Sequence, residues 1–200
     1  MKVVIPFKFF NPKSRLSSIL NEEERTKLAL AMLEDVLDVL NSCGCDVKVV
    51  TPYPISVDAE ISVDARPLDD VVNDELREVP KAVVMSDLPL LNEEVFTRFL
   101  SVEGDVVIAP GRRGGTNMLL VRRKGFRVSY HYGSFLKHLK TARALGFTVA
   151  VFDSFFASVD IDDESDLLEL MIHGEGKKSR RYLESIGFRV LMERTPRLVR

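Results

Sequence analysis

Short, almost unbroken apolar runs recur along this chain, in KVVIPF, DVKVVT, KAVVM, DVVIAP, NMLLV and TVAVF. A strand with one wet face alternates apolar and polar residues, whereas a run without alternation belongs to a strand covered on both sides. Helical patterns separate many of these runs, so the chain is expected to build a parallel or mixed α/β sheet with helices on both faces. In such sheets ligands collect beyond the carboxyl ends of the strands.

The helical segments carry their own punctuation. In NEEERTKLALAMLEDVLDVLNSCG, Asn21 can cap, Glu24 completes a capping box, and Ala29, Met32, Leu33, Val36, Leu37 and Leu40 form one apolar stripe. Gly44 suits a left-handed stop. Asn92 is placed to cap EEVFTRFL, GSFLKHLKTARALG reads as a helix ended by Gly146, and another helix should begin near Asp163. The pattern further predicts a strand in FRVSYHY, an acidic strand end in SVDID, and a short helix with a strand or hairpin after Gly176. The Pro- and Asp-rich stretch up to about residue 70 gives no register.

With 46% apolar residues and no repeat or linker, residues 1–200 are expected to form one domain. The 28 basic and 30 acidic residues nearly cancel, so no overall field favours nucleic acid or an acidic membrane surface. Selectivity for an anion must be local. No segment approaches the roughly 18 uninterrupted apolar residues of a membrane span, and MKVVIPFKFF lacks a secretory cleavage site, so a cytoplasmic location is expected. Cys43 and Cys45 are poorly spaced to bridge each other and too few for a thiolate metal site, and are expected to be reduced and structural.

Three strand ends carry more polar chemistry than folding requires. Behind the first strand, Lys8 and NPKSRL offer backbone donors and a helix start that favour phosphate, with Lys13 and Arg15 adding charge-assisted contacts. A solvated basic loop would read the same. Asp87 follows the strand of KAVVM, and strand alternation would point Asp160 and Asp162 at one spot, a set suited to magnesium with its preference for hard oxygen ligands. A turn aspartate and a solvated acidic helix start are the plainer alternatives. In GRRGGTN the glycines permit close approach and Thr116 and Asn117 supply donors. Gly133 and Ser134 open another helix, so both loops suit a phosphate or a carboxylate. His138 and His173 read as surface or capping residues, His131 stays open, and KKSRR reads as a solvated helix face.

The ordered motifs IPFK, KSRL, EEERTKLALAMLEDVL, MSDLPLL, VVIAPGRRGGTN, YGSFLKHL and VDIDDESDLLEL span nearly the whole chain. Together they resemble the archaeal 2-phospho-L-lactate guanylyltransferases of coenzyme F-420 biosynthesis. That resemblance implies a Rossmann-like three-layer sandwich with a mixed, mostly parallel central sheet, of the nucleotide-diphospho-sugar transferase type. It implies transfer of GMP from GTP to 2-phospho-L-lactate with release of pyrophosphate. In that family the aspartate of the DLP turn and the late D-x-D acids hold Mg2+, which carries over to Asp87, Asp160 and Asp162. The GGTN and GS loops grip the phosphorylated acid, implicating Thr116, Gly133 and Ser134. The N-terminal loop handles the nucleotide through Lys8, Lys13, Ser14 and Arg15, making Lys13, Arg15 and Asp87 the catalytic candidates.

This sequence departs from the family pattern twice. It has YHYGSF where YGPGSF is usual, so His131 stands where glycine is common. A GLN-like stretch is reduced to LDDVVND, leaving Asn73 as the residue expected near the base. A nucleotidylyltransferase for phosphoenolpyruvate, 3-phosphoglycerate or a sugar phosphate fits the same motifs, because one methyl group is worth only about 1–3 kcal/mol of discrimination. A non-catalytic nucleotide-binding module would have no need of Asp87, Asp160 and Asp162. The expected partners are GTP and a small phospho-acid, with neither nucleic acid nor membrane. The tail from Gly176, with Phe188, Val190 and Leu191, either covers the core or joins a second copy in a homodimer.

Overall fold

Seven of the strands form one sheet in the order β3-β2-β1-β4-β6-β5-β7. They are β1 (Lys2–Pro6), β2 (Asp46–Thr51), β3 (Glu60–Val63), β4 (Lys81–Val84), β5 (Val106–Pro110), β6 (Thr116–Val121) and β7 (Val149–Val151). The computed structural model describes residues 1–8 and 12–200; residues 9–11 of the first loop lie outside the described residues. All paired neighbours are parallel except at β6, which runs against both β4 and β5. The helices are α1 (Glu22–Ser42), α2 (Leu68–Glu75), α3 (Glu93–Ser101), α4 (Ser134–Ala144), α5 (Phe155–Ser158), α6 (Glu164–His173) and α7 (Lys178–Ser185).

The apolar runs divide between the two faces as their period of two requires. Val3, Ile5, Ala82, Val84, Val107 and Ala109 face the layer of α1, α3, α6 and α7. Val4, Val83, Val106, Ile108 and Leu119 face the layer of α2 and α4. This is the expected three-layer α/β sandwich with a mixed, mostly parallel sheet. At α1 the capping box is complete: Asn21 Oδ1 accepts from Glu24 N at 2.9 Å, and Glu24 Oε2 accepts from Asn21 N at 2.9 Å. Both cysteines are free thiols. No described helix is long and apolar enough to cross a membrane.

Several expectations need correction. FRVSYHY forms no strand, because both edges of β6 are taken and side chains satisfy its backbone instead. Asn73 accepts from Val128 N at 2.8 Å, His138 Nε2 from Ser129 N at 2.9 Å, and Asp69 from Tyr130 N at 2.7 Å. SVDID is also not a strand; Ser158 ends α5, and the segment is tied to its neighbours by backbone bonds from Arg112 N to Ser158 O at 3.1 Å and from Ile161 N to Asp87 O at 3.1 Å. The unregistered Pro- and Asp-rich stretch contains β3, and α2 follows it. KKSRR is not a solvated face: Asp35 of α1 accepts from Lys178 N at 2.7 Å and Ser179 N at 2.9 Å, and Lys177 Nζ donates to Leu91 O at 2.7 Å. The tail folds as α7 and an antiparallel hairpin, β8 (Arg189–Leu191) and β9 (Arg197–Val199), with Leu183 and Phe188 in the core. It therefore covers the core.

Candidate active site

Strand order reverses direction around β1, which has β2 on one side and β4 on the other. The crevice beyond their carboxyl ends is where an open α/β sheet binds ligands. A cavity of about 610 Å³ lies there, lined by Lys8, Lys13, Ser14, Arg15 and Asp87 among others.

Lys13 precedes the 3-10 turn Ser14–Leu16 with a left-handed backbone, φ 53° and ψ 46°. Outside glycine that conformation costs on the order of 1 kcal/mol and persists only where surrounding contacts enforce it. Buried Arg25 supplies such a contact, its Nε donating to Pro12 O at 3.1 Å. The Lys13 ammonium thereby reaches Asp87 Oδ2 at 2.5 Å and Asp162 Oδ1 at 3.0 Å. Burial works to lower the pKa of Lys13, but the charges and hydrogen bonds of the two aspartates outweigh it, and the pKa is raised. Arg15 adds a contact from Nη1 to Asp162 Oδ2 at 3.1 Å, from a mostly exposed side chain.

Asp160 does not line the cavity as Asp87 and Asp162 do. Asn117 Nδ2 donates to Asp160 Oδ1 at 3.3 Å and to Ala157 O at 3.0 Å. Burial, then the nearby charges of Asp87 and Asp162, push the Asp160 carboxyl above its usual range, against the Asn117 hydrogen bond. Gly111 has a direct reason to lack a side chain, since a Cβ there would meet Asn117 Oδ1 at 2.5 Å. The two arginines of GRRGGTN serve α6. Arg113 reaches Asp163 at 2.5 Å and buried Asp166 at 3.0 Å, and Arg112 faces Asp166 and Glu169.

Thr116, Gly133 and Ser134 form a second cluster. Ser134 Oγ donates to Thr116 Oγ1 at 3.3 Å, both residues are nearly buried, and Phe135 N donates to Gly114 O at 3.2 Å, joining the glycine turn to α4. His138, expected at the surface or as a cap, is fully buried beneath this pair. The expectation failed because its helix packs that face against Phe126 and Tyr130. Asn73 has both ends of its amide committed to Val128, so it braces the segment before α4 rather than facing the cavity. Asp64 and Arg66 also line the cavity, in a stretch whose sequence carries no periodic signal.

Among the described residues, no three His, Cys, Asp or Glu side chains are gathered tightly enough to cage a metal. The acids nonetheless fit magnesium, which needs few carboxylates when phosphate oxygens and water complete its shell. Two of these acids, Asp87 and Asp162, already converge on one point, the Lys13 ammonium.

Across residues 1–200 the sequence matches the family described as Guanylyl transferase CofC like. The chain belongs to this guanylyl transferase family. A 2-phospho-L-lactate guanylyltransferase of Archaeoglobus fulgidus is 61% identical over 100% of this chain and 97% of its own length. One from Ferroglobus placidus is 52% identical, with 100% of each chain covered. Among solved structures, a putative nucleotide-diphospho-sugar transferase from Desulfovibrio desulfuricans superposes with a TM-score of 0.77. That comparison covers 92% of this chain and 94% of the other at 15% identity, so it speaks to the fold alone. As a member of this guanylyl transferase family the chain is an enzyme.

Proposed function

We propose that this guanylyl transferase moves GMP from GTP to 2-phospho-L-lactate in coenzyme F-420 biosynthesis, forming lactyl-2-diphospho-5'-guanosine and pyrophosphate. The observation that carries the reading is Lys13, a half-buried cation that lines the cavity and is shared by Asp87 and Asp162. Its single positive charge faces two carboxylates, and a cation that neutralised those acids would free Lys13 for a triphosphate.

No protein nucleophile is required. An anionic phosphate oxygen of the acceptor forms the new bond to the α-phosphorus of GTP, and the bond to the β,γ-pyrophosphate breaks. Alignment and charge stabilisation supply the rate. Lys13 and Arg15 offset the charge that builds on pyrophosphate, while Lys8 and Ser14 hold the triphosphate. Thr116, Ser134 and the backbone at Gly133 hold the phosphate of the acid. Magnesium bound through Asp87, Asp160 and Asp162 would neutralise phosphate oxygens and orient them.

The test combines the purified protein and magnesium with GTP or ATP and, in turn, 2-phospho-L-lactate, phosphoenolpyruvate and 3-phosphoglycerate, measuring pyrophosphate and product mass. GTP with 2-phospho-L-lactate should give the highest kcat/KM, and Asp87→Asn should lose most turnover while keeping its circular dichroism. Equal turnover with ATP, or near wild-type pyrophosphate release by the variant, would overturn the assignment.

A further inference from the structure

His138 is a fully buried ionisable group that the proposed chemistry leaves without a task. It lies one turn into α4, with its ring edge-on to Tyr130 at 5.2 Å and Phe126 at 5.8 Å. Both ring nitrogens are engaged. Nε2 lies 2.9 Å from the backbone N of Ser129, and Nδ1 lies 2.9 Å from Thr116 Oγ1.

These contacts decide where the proton sits. A backbone N–H can only donate, so Nε2 must be bare, and a neutral imidazole then carries its single proton on Nδ1. That proton points at Thr116 Oγ1, which also accepts from Ser134 Oγ at 3.3 Å. A hydroxyl oxygen has two lone pairs. With both filled, the hydrogen of Thr116 is left to point away from His138 and Ser134. Burial supports the neutral ring by lowering the His138 pKa to about 4.

We infer that His138 is a positioning residue for the acceptor pocket: by donating to Thr116 Oγ1 it turns the Thr116 hydroxyl outward as a donor to the phosphate of the bound acid. The inference rests on the reading that Thr116 touches that acid. Without His138, Thr116 can donate inward and presents a lone pair to an anion. Ser129 is the anchor that fixes the ring's tautomer, so the irregular segment before α4 sets a hydrogen-bond direction as well as a shape.

The decisive comparison uses His138→Gln, which can still accept from Ser129 but lacks the Nδ1 donor, and His138→Asn, whose amide can replace that donor. His138→Gln should raise KM for 2-phospho-L-lactate about tenfold with KM for GTP within twofold. His138→Asn should restore most of the loss even though it forfeits the Ser129 contact. Thr116→Val should also raise the acid KM, and adding His138→Gln to it should cause no further rise. If Thr116→Val raises the acid KM but His138→Gln does not, the positioning role is wrong while the Thr116 reading stands. If Thr116→Val leaves the acid KM unchanged, the Thr116 reading fails and takes this inference with it. Nitrogen-15 NMR of the wild-type protein needs no variant: the expected signature is a protonated Nδ1 and an unprotonated Nε2, and the opposite tautomer overturns the inference.

Discussion

Lys13 Nζ stands 2.5 Å from Asp87 Oδ2, although 74 residues separate the two. The contact ties the first loop to the end of β4, and Lys13 makes it from a left-handed backbone. Replacing Lys13 by Met should lower kcat/KM at least ~100-fold, about 2.7 kcal/mol of lost transition-state stabilisation. The backbone can be tested separately. Lys13→Gly should unfold at higher urea than Lys13→Ala, because only glycine adopts this conformation without strain. The reverse order would mean that the left-handed turn is absent in solution.

Gly111→Ala should act through Asn117. The added methyl meets Asn117 Oδ1 at 2.5 Å and must push it away from Asp160 and Ala157. Overpacking of this kind costs roughly 1–3 kcal/mol, readable by denaturant unfolding. The Asn117 hydrogen bond restrains the Asp160 pKa, so its loss raises that pKa further. If Asp160 must be ionised for turnover, the acid limb of the kcat/KM profile moves to higher pH in the variant. A limb that stays in place would remove Asp160 from the working set.

Burial of His138 should make stability depend on pH. The folded ring's pKa is pushed down to about 4, below the 6.5 of a free histidine, so the unfolded chain binds more protons between these values. Stability from this group is then full above about pH 6.5 and is lost as pH falls toward 4, by about 3 kcal/mol in total. His138→Gln carries no such term. The stability difference between wild type and this variant should narrow on going from pH 7 to pH 5, measured by urea titration at each pH.

Asp35→Ala should destabilise the protein without touching turnover at the working temperature. The carboxylate accepts from Lys178 N, Ser179 N and, at 2.5 Å, Ser179 Oγ, closing the start of α7 from within α1. Its removal leaves buried donors without acceptors, a cost of roughly 2–4 kcal/mol. A melting temperature unchanged by the substitution would contradict the cap.

Asn73→Ala separates bracing from base recognition. With its amide spent on Val128, the substitution should lower stability by about 1–2 kcal/mol and leave KM for GTP within twofold. A selective rise in that KM would restore Asn73 to the nucleotide site.

Elements set by local chemistry were legible in the sequence. Asn21 and Glu24 announce the start of α1, and the uniform apolar character of Val83, Val84, Val106 and Val107 announces strands covered on both faces. Asp87 and Lys13 could be singled out because each follows a strand at the end where ligands gather. What stayed hidden depends on contacts distant in sequence. Nothing near Val128 signals that Asn73 will take its backbone bonds, so a strand was expected where side-chain clamps prevail. The lysines beside His138 suggested exposure, while the face of α4 against Tyr130 buries it. Alternation suggested that Asp160 and Asp162 share a direction, yet one meets Asn117 and the other Lys13.

Reversal of β6 has a consequence for how this crevice could change. Every other strand of the sheet delivers its last residues to the ligand end, but β6 delivers its first, Thr116 and Asn117, straight out of a tight glycine hairpin. A one-residue slip of β6 against β4 and β5 would swap which of the two looks into each layer, exchanging the contact of Thr116 with His138 for that of Asn117 with Asp160. Loops behind the parallel strands can vary in length at little cost, whereas the strand after this one is held in register from both sides.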